Sequence, residues 1–379
     1  MPPAAVDHYS SDDQRDLVHH AVQALAEGRL VAFPTETVYG VAANALDEAA
    51  VQRLIRIKGR SPDKPVALAI RGVEQSLDYV PEISVVGRRL GQRCWPGPLT
   101  LVLDSEHPDS LLRRLPDGVQ RIVSPNGLIG LRVADHPYLQ AALKLLPGPL
   151  VLTSANRSGQ ADAVTGDEVT AALGDDVDLV LNDGRCNYAQ PSSVVRVSGS
   201  HVSTLREGVV SETQVRRFAS LVVVIVCTGN TCRSPMAEVL LQKRLATRLG
   251  CAIADLEERG VIVRSAGVAA SAGGPAAPNA LQAMQQRQLD LSQHASQPVT
   301  DLLMRFADNV FTMTDGHRQA ILAQWPDADS KTRLLRSDGY DLADPIGGPL
   351  ETYLQCADEI DSHLARWVDA LPMECIPTF

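Results

Sequence analysis

Residues 221–238 read L-V-V-V-I-V-C-T-G-N-T-C-R-S-P-M-A-E. Side chains alternate between the two faces of a strand, so an uninterrupted apolar run such as Leu221–Val226 suits a strand covered on both sides. The run ends at Cys227, a short polar loop follows, and a helix is expected from Pro235, a residue that fits a helix's first turn because its missing N–H is not needed there. A strand, tight loop and helix in that order are the start of a parallel α/β sheet with crossover helices. The remaining periodicity agrees: helix 235–249, strand 261–264, helix 277–288, strand 309–313, helix 315–323 and a last helix 350–370.

The loop has a chemistry of its own. Backbone N–H groups of Thr228, Gly229, Asn230, Thr231 and Cys232 converge with the positive end of the helix dipole, a concavity that binds a tetrahedral oxyanion and favours the thiolate of a cysteine at its base. Arg233 is placed to fork two N–H groups onto a phosphate edge. Ser234 can hold the thiolate by a hydrogen bond, and Asn230 can brace the loop. The acid that protonates a leaving group must come from elsewhere, and Asp344 in L-A-D-P-I-G-G, stiffened by Pro345, is the candidate.

These residues resemble the low-molecular-weight protein phosphatase family, with C-x5-R-S at the loop, an Asp-Pro pair for the acid, and R-S-A-G (264–267) and V-F-T-M-T (310–314) as further matching segments. The resemblance implies that Cys227 is the nucleophile forming a thiophosphate, Arg233 the phosphate clamp and Asp344 the general acid and then base, with no metal or cofactor. Tyrosine-directed members carry a bulky aliphatic residue at the position of Thr231 and aromatic residues after the Asp-Pro. Here a hydroxyl stands at 231 and Ile346-Gly347-Gly348 follow the pair, which implies phosphoarginine rather than phosphotyrosine on a protein substrate. A phosphotyrosine-directed enzyme is the alternative. Cys232 has two readings, a small loop filler or a reversible disulfide partner that shields Cys227. An arsenate reductase with this loop needs a close pair of further cysteines, and Cys251, Cys356 and Cys375 are too dispersed.

At 379 residues the chain is long enough for two domains. The polar, mixed-charge stretch before Leu221 sets the boundary: a first domain over 14–210, a linker over 211–220 and a second domain over 221–373. The net charge of −10 divides as −6 up to Glu212 and −4 beyond, so neither part is a basic nucleic-acid module. Seven scattered cysteines suit a reducing cytoplasm better than a disulfide framework, and neither a secretory signal nor a membrane-length apolar run is evident, so no membrane partner is expected.

The first part alternates helices and strands: helix 17–25, strand 29–33, a helix with Val51, Leu54, Ile55 and Lys58 on one face and Gly59 as its stop, then strands at 66–70, 99–103, 129–133, 150–153 and 194–197. Neither common phosphate-binding glycine motif occurs. Polar clusters at element ends stand out instead: Thr35 and Thr37 after the first strand, Lys58 and Arg60 at a helix end, Ser154 and Asn156 in L-T-S-A-N-R-S-G, Ser192 in P-S-S-V-V-R-V, and Arg206 in L-R-E-G. Cations with hydroxyl and amide groups at several strand ends point to an anionic, nucleotide-sized ligand.

P-T-E-T-V-Y-G, I-K-G-R, W-P-G-P-L-T-L-V-L, G-L-R-V-A-D-H-P, L-T-S-A-N-R-S-G and L-R-E-G occur in the order found in YrdC-type threonylcarbamoyl-adenylate synthases, which this part resembles. The resemblance implies a twisted, open α/β sheet around a concave cavity, and a reaction of ATP, L-threonine and bicarbonate that yields threonylcarbamoyl-AMP and pyrophosphate. It assigns Lys58, Arg60, Ser154, Asn156 and Arg206 to ATP, Thr35, Arg132 and Ser192 to threonine, and a Mg²⁺ to the nucleotide, with no metal ligands of the chain's own. Proteins that transfer the threonylcarbamoyl group to tRNA are the implied downstream partners. An RNA-binding module using the same concave face is the alternative. Ser193 stands where the family usually has threonine, and the stretch 104–121, longer than in a minimal member, is expected to alter access to the cavity.

Overall fold

The computed structural model describes residues 7–9, 14–59 and 65–379. The chain divides after Phe218 into two units.

Among the described residues the first unit is built on a ten-stranded mixed sheet. From one edge to the other its strands are Asp7–Tyr9, Leu179–Leu181, Val31–Phe33, Gly40–Asn44, Leu150–Ser154, Ala67–Ala69, Leu128–Arg132, Leu99–Asp104, Ser193–Ser198 and His201–Arg206. Helices Gln14–Ala26 and Pro137–Leu145 bury one half of a face against Ala42, Ala69, Leu150 and Leu152. Alternate residues share a face, so Gly40, Ala67 and Ser154 carry that same face onto the half these helices leave open. Small residues there leave a hollow, and the cavity of this unit lies over it. The helix Glu48–Lys58 begins at an Asp47 cap and ends at Gly59, whose left-handed backbone (φ 57°) suits glycine. The expected face holds for Val51, Leu54 and Lys58, which are buried with Ala50 and Ile57.

The stretch 104–121 does not reach the cavity. Leu112, Leu115 and Val119 bury themselves in the unit's core, Ser110 Oγ donates to the Tyr79 carbonyl (2.6 Å), and none of the stretch is among the described lining residues. The segment expected as a linker contains a helix, Glu212–Ala219. Its polarity masked a helical stripe: Val215 and Ala219 are buried, and Arg216 pairs with Glu212 one turn back at 3.0 Å.

The second unit has a four-stranded, all-parallel sheet in the order Val261–Gly267, Leu221–Cys227, Asn309–Thr312, Thr332–Leu334. The apolar run is covered on both faces, as its composition requires. Leu221, Val223, Ile225 and Cys227 pack in a core with helices Arg233–Leu249 and Leu350–Ala370, while Val222, Val224 and Val226 pack in another with Met304 and Ile321. The first helix starts at Arg233, two residues before the expected Pro235, because proline is tolerated anywhere in a first turn whose N–H groups lack helical partners. The strand Thr332–Leu334 was not anticipated, since T-R-L is too short to show a period. Leu221–Cys227 has a neighbour on each side, and the chain visits one side and then the other. Cys227 therefore ends its strand at a topological switch point, where open α/β sheets bind ligands.

Candidate active sites

The cavity of the first unit measures about 490 Å³. Thr35, Arg132, Ser154, Ser192 and Arg206 all line it, so residues from five separate stretches are brought together. Arg206 is clamped on Ser192, donating to its carbonyl from Nη2 (2.7 Å) and Nε (3.2 Å), and Ser192 Oγ meets Thr100 Oγ1 at 3.1 Å. Burial draws the Arg206 guanidinium below its ordinary pKa, and Asp162, the carboxylate among the described lining residues, opposes that shift. Arg132 donates from Nη2 to Glu36 Oε1 (2.8 Å) and Thr37 Oγ1 (2.7 Å), and Thr37 Oγ1 in turn meets Thr35 Oγ1 at 2.9 Å. Among the described residues the Nε of Arg132 is buried without a partner, a donor that a bound anion would satisfy.

Lys58 and Asn156 stand behind Ser154 and are themselves buried. The Lys58 ammonium donates to the Ser154 carbonyl (2.5 Å), to Asn156 Oδ1 (2.6 Å) and to the Asn156 carbonyl, and Ser154 Oγ donates to Asn156 Oδ1 at 2.6 Å. Arg60 lies outside the described residues. Ser193 points away from the cavity: its hydroxyl donates to the Val210 carbonyl (2.6 Å) and accepts from the N–H groups of Gly208 (2.9 Å) and Val210 (3.0 Å). Serine keeps the hydroxyl those bonds need, which makes the departure from threonine benign.

In the second unit the loop wraps around Cys227. The Asn230 N–H approaches Cys227 Sγ at 3.3 Å and Ser234 Oγ stands 3.0 Å from it. Asn230 takes a left-handed backbone (φ 53°), which asparagine tolerates better than most residues. Its side chain braces the loop on three sides, donating to Ser234 Oγ (2.9 Å) and Ser265 Oγ (2.8 Å) and accepting from the Gln297 N–H (2.9 Å). Arg233 is buried and turned toward the acid loop, donating from Nη1 to the Leu342 carbonyl (3.1 Å) and from Nη2 to Asp344 Oδ2. The clamp and the expected acid are thus already in contact. Thr231 Oγ1 lies on the half-buried rim of the loop, 3.7 Å from Cys232 Sγ. Cys227 and Cys232 are free thiols, and Cys232 Sγ faces Tyr353 Oη at 3.6 Å. Burial pushes the Cys356 thiol up to about 12, which keeps it protonated and out of the chemistry.

Several members of these sites escaped the sequence reading. Glu36, the buried counter-charge of Arg132, sits inside P-T-E-T, where its motif was visible but its partner 96 residues away was not. His317 joins the phosphate loop: its Nε2 meets Thr228 Oγ1 at 2.8 Å and its Nδ1 meets Thr314 Oγ1 at 2.9 Å. Burial, aided by the charge on Arg233, holds His317 below the usual histidine pKa against the pull of Asp344 and Asp341. His294 Nε2 meets the Asn230 carbonyl at 2.8 Å, and Ser265 Oγ donates to the half-buried Glu238 (2.6 Å).

Comparison with known proteins divides the chain in the same way. Residues 23–208 match the Sua5–YciO–YrdC family model, described as telomere recombination, and residues 222–375 match that of the low molecular weight phosphotyrosine protein phosphatases. The chain is 35% identical over 180 residues to the threonylcarbamoyl-AMP synthase of Chromohalobacter salexigens, covering 47% of this chain and 91% of the relative. It is 42% identical over 149 residues to the protein-arginine-phosphatase of Bacillus subtilis, covering 38% and 92%. A solved structure of P. abyssi Sua5 shares the fold with a TM-score of 0.50 at 23% identity, over 69% of this chain and 91% of that one. The curated synthase of Pyrococcus abyssi is longer, and the chain spans about half (52%) of its length.

Proposed function

Because residues 23–208 belong to the Sua5–YciO–YrdC family and residues 222–375 to the low-molecular-weight protein phosphatases, we propose that the chain joins an L-threonylcarbamoyl-AMP synthase to a phosphatase directed at phosphoarginine on proteins. The buried, unpartnered Nε of Arg132 beside Arg206 and Ser192 carries the first half of this reading. That end of the cavity is a carboxylate site, and it holds L-threonine with Thr35 and Ser192 on its polar groups. The threonine amine and bicarbonate give a carbamate and water. A carbamate oxygen then attacks the α-phosphorus of ATP, and pyrophosphate leaves. Lys58 and Arg60 offset the charge that builds on the departing phosphates, Arg206 approaches the α-phosphate from the carboxylate end where the carbamate attacks, and Ser154 and Asn156 orient the chain of phosphates. A Mg²⁺ brought by ATP would take phosphate oxygens and water as ligands, with Asp162 within the cavity; the described residues contain no cluster of three His, Cys, Asp or Glu side chains for it. The product goes to cytoplasmic proteins that transfer the threonylcarbamoyl group to tRNA.

In the phosphatase, the Cys227 thiolate attacks phosphorus while the loop N–H groups and Arg233 hold the equatorial oxygens. Arg233 exchanges its bond to Asp344 for the phosphate, and the freed Asp344 carboxylate takes up a proton from solvent and delivers it to the departing nitrogen. Water, deprotonated by Asp344, then cleaves the thiophosphate, and Ser234 stabilises the thiolate as it leaves. Thr231 carries the preference for arginine: its hydroxyl gives a guanidinium N–H an acceptor where an aliphatic residue would give a phenyl ring a wall. Ile346, exposed after the Asp-Pro, offers no aromatic flank.

Two assays test the reading. Threonine-dependent pyrophosphate release should be lost in Lys58→Ala, and nucleotide or RNA binding without that release would refute the synthase. The intact chain should turn over phosphoarginine faster than phosphotyrosine, with Cys227→Ser inactive on both and Thr231→Ile shifting the ratio toward tyrosine. Faster phosphotyrosine turnover by the unmutated chain would refute the arginine preference.

A further inference from the structure

The register of the sheet sorts the two ends of the synthase cavity. Ala67 pairs with Leu152 on one side, and Leu68 pairs with Leu131 on the other, so Leu152, Ala67 and Gly130 form one row across three strands. Arg132 lies two residues beyond that row in one direction, paired with Thr100, and Thr100 leads to Ser192 and Arg206. Leu128 and Ser154 lie two residues beyond it in the opposite direction, with Lys58 bonded behind Ser154. Four residues of strand separate the ends by roughly 13 Å. The carboxylate end and the Lys58 end are therefore distinct, and a nucleotide whose phosphates lie near Lys58 must place its base on the neighbouring wall.

That wall carries an unused amide. Asn126 lines the cavity just ahead of Leu128, in the turn Pro125–Gly127. Its backbone is left-handed (φ 59°), which asparagine tolerates better than most residues, and Gly127 follows at φ 72°. Asn126 is exposed, and among the described residues its amide makes no hydrogen bond and is open to a ligand, whereas Arg132, Ser154, Ser192 and Arg206 are each engaged within the protein. Pro65, Val66, Pro125 and Leu128 flank it with apolar surface on which a planar ring can rest. A carboxamide presents a donor and an acceptor side by side, the complement of the N7 acceptor and N6–H donor of adenine. Guanine offers two acceptors, N7 and O6, on that edge and leaves the amide oxygen opposed.

Resting on the synthase reading for its ligand, we infer that Asn126 reads the base of the nucleotide, selecting adenine through its N6/N7 edge. The test is equilibrium binding of ATP, GTP and 7-deaza-ATP, which has carbon in place of N7, to the full chain in the presence of Mg²⁺. Asn126→Gly is the informative variant, because glycine accepts the left-handed turn and a loss cannot be blamed on strain. The unmutated chain should prefer ATP to both analogues by about tenfold or more, the discrimination of a paired amide–base contact. Asn126→Gly should bind ATP no better than 7-deaza-ATP. Equal binding of the three nucleotides by the unmutated chain, or an ATP preference that survives in Asn126→Gly, overturns the inference. Threonine-dependent pyrophosphate release, measured alongside, separates the two ideas. An Asn126-dependent preference for ATP without that release removes the synthase reading and upholds the base contact; release with an unchanged preference in Asn126→Gly does the reverse.

Discussion

Gly267 does no chemistry, yet adding one methyl group there should silence the phosphatase. It ends the strand Val261–Gly267 beside Cys227, with which it is in register. The loop returns over it: a Cβ at 267 would stand 2.5 Å from the Thr228 carbonyl oxygen, 2.8 Å from Ala270 Cβ and 2.9 Å from the Asn230 nitrogen. Two of those atoms belong to the phosphate-loop backbone, so no side-chain rotation relieves the contact. Reaching an ordinary separation of 3.4 Å from the carbonyl moves the loop by about 1 Å, and a misplacement of that size costs roughly 100-fold in rate. The stability cost should be that of overpacking, about 1–3 kcal/mol. The assay is phosphatase turnover of Gly267→Ala on p-nitrophenyl phosphate, with urea unfolding of the same protein. A folded variant with turnover within threefold of the unmutated chain would refute the claim that the loop needs this approach. A variant that loses activity only because it is unfolded at the assay temperature would count against it equally.

Asp344→Asn should lower phosphoarginine turnover by about 10²–10⁴-fold, the usual share of a general acid, and should cost less on p-nitrophenyl phosphate, whose leaving group needs no proton; equal losses on both would contradict the assignment. Ser193→Ala should destabilise the first unit by about 1–3 kcal/mol, since two buried backbone N–H groups lose their acceptor, while the KM for threonine stays put. His317 and His136 are both held below the ordinary histidine pKa by burial. The folded chain then binds fewer protons than the unfolded one just below pH 6.5, so stability is complete above that value, falls as pH drops from there toward the lower folded pKa values, and levels off beneath them. Unfolding midpoints from pH 7.5 to 5 should show this slope, and His317→Gln should flatten it for the second unit; an unchanged slope would refute the assignment.

What was legible in the chain follows from how far its determinants lie apart. The phosphate loop is contiguous: Cys227, Asn230, Arg233 and Ser234 sit within eight residues, and the strand, loop and helix that place them are written in the same stretch. Local apolar period and caps likewise revealed the helices Glu48–Lys58 and Leu350–Ala370. Gly40–Asn44 carries no sequence mark because G-V-A-A-N has neither alternation nor bulk; Ala42 joins the core while Gly40 lines the hollow. The partners that make each site work come from far along the chain and carry no local mark. His317 reaches Thr228 across 89 residues, and Arg132 is balanced by Glu36 across 96. Such residues occupy loops and helix starts whose local pattern satisfies ordinary capping; Thr314 caps the helix of His317 and would read the same without any phosphate loop nearby. A contiguous motif therefore discloses a reaction class, because that class needs a nucleophile and a cation on one loop. On the proposed reading, selectivity instead resides in single side chains added from a distance. Thr231 would be the exception that the loop itself exposes, and the proposed role of Asn126 would follow the rule: its letter stands in an ordinary P-N-G turn, and only the fold brings that turn to the cavity that Ser154 also lines.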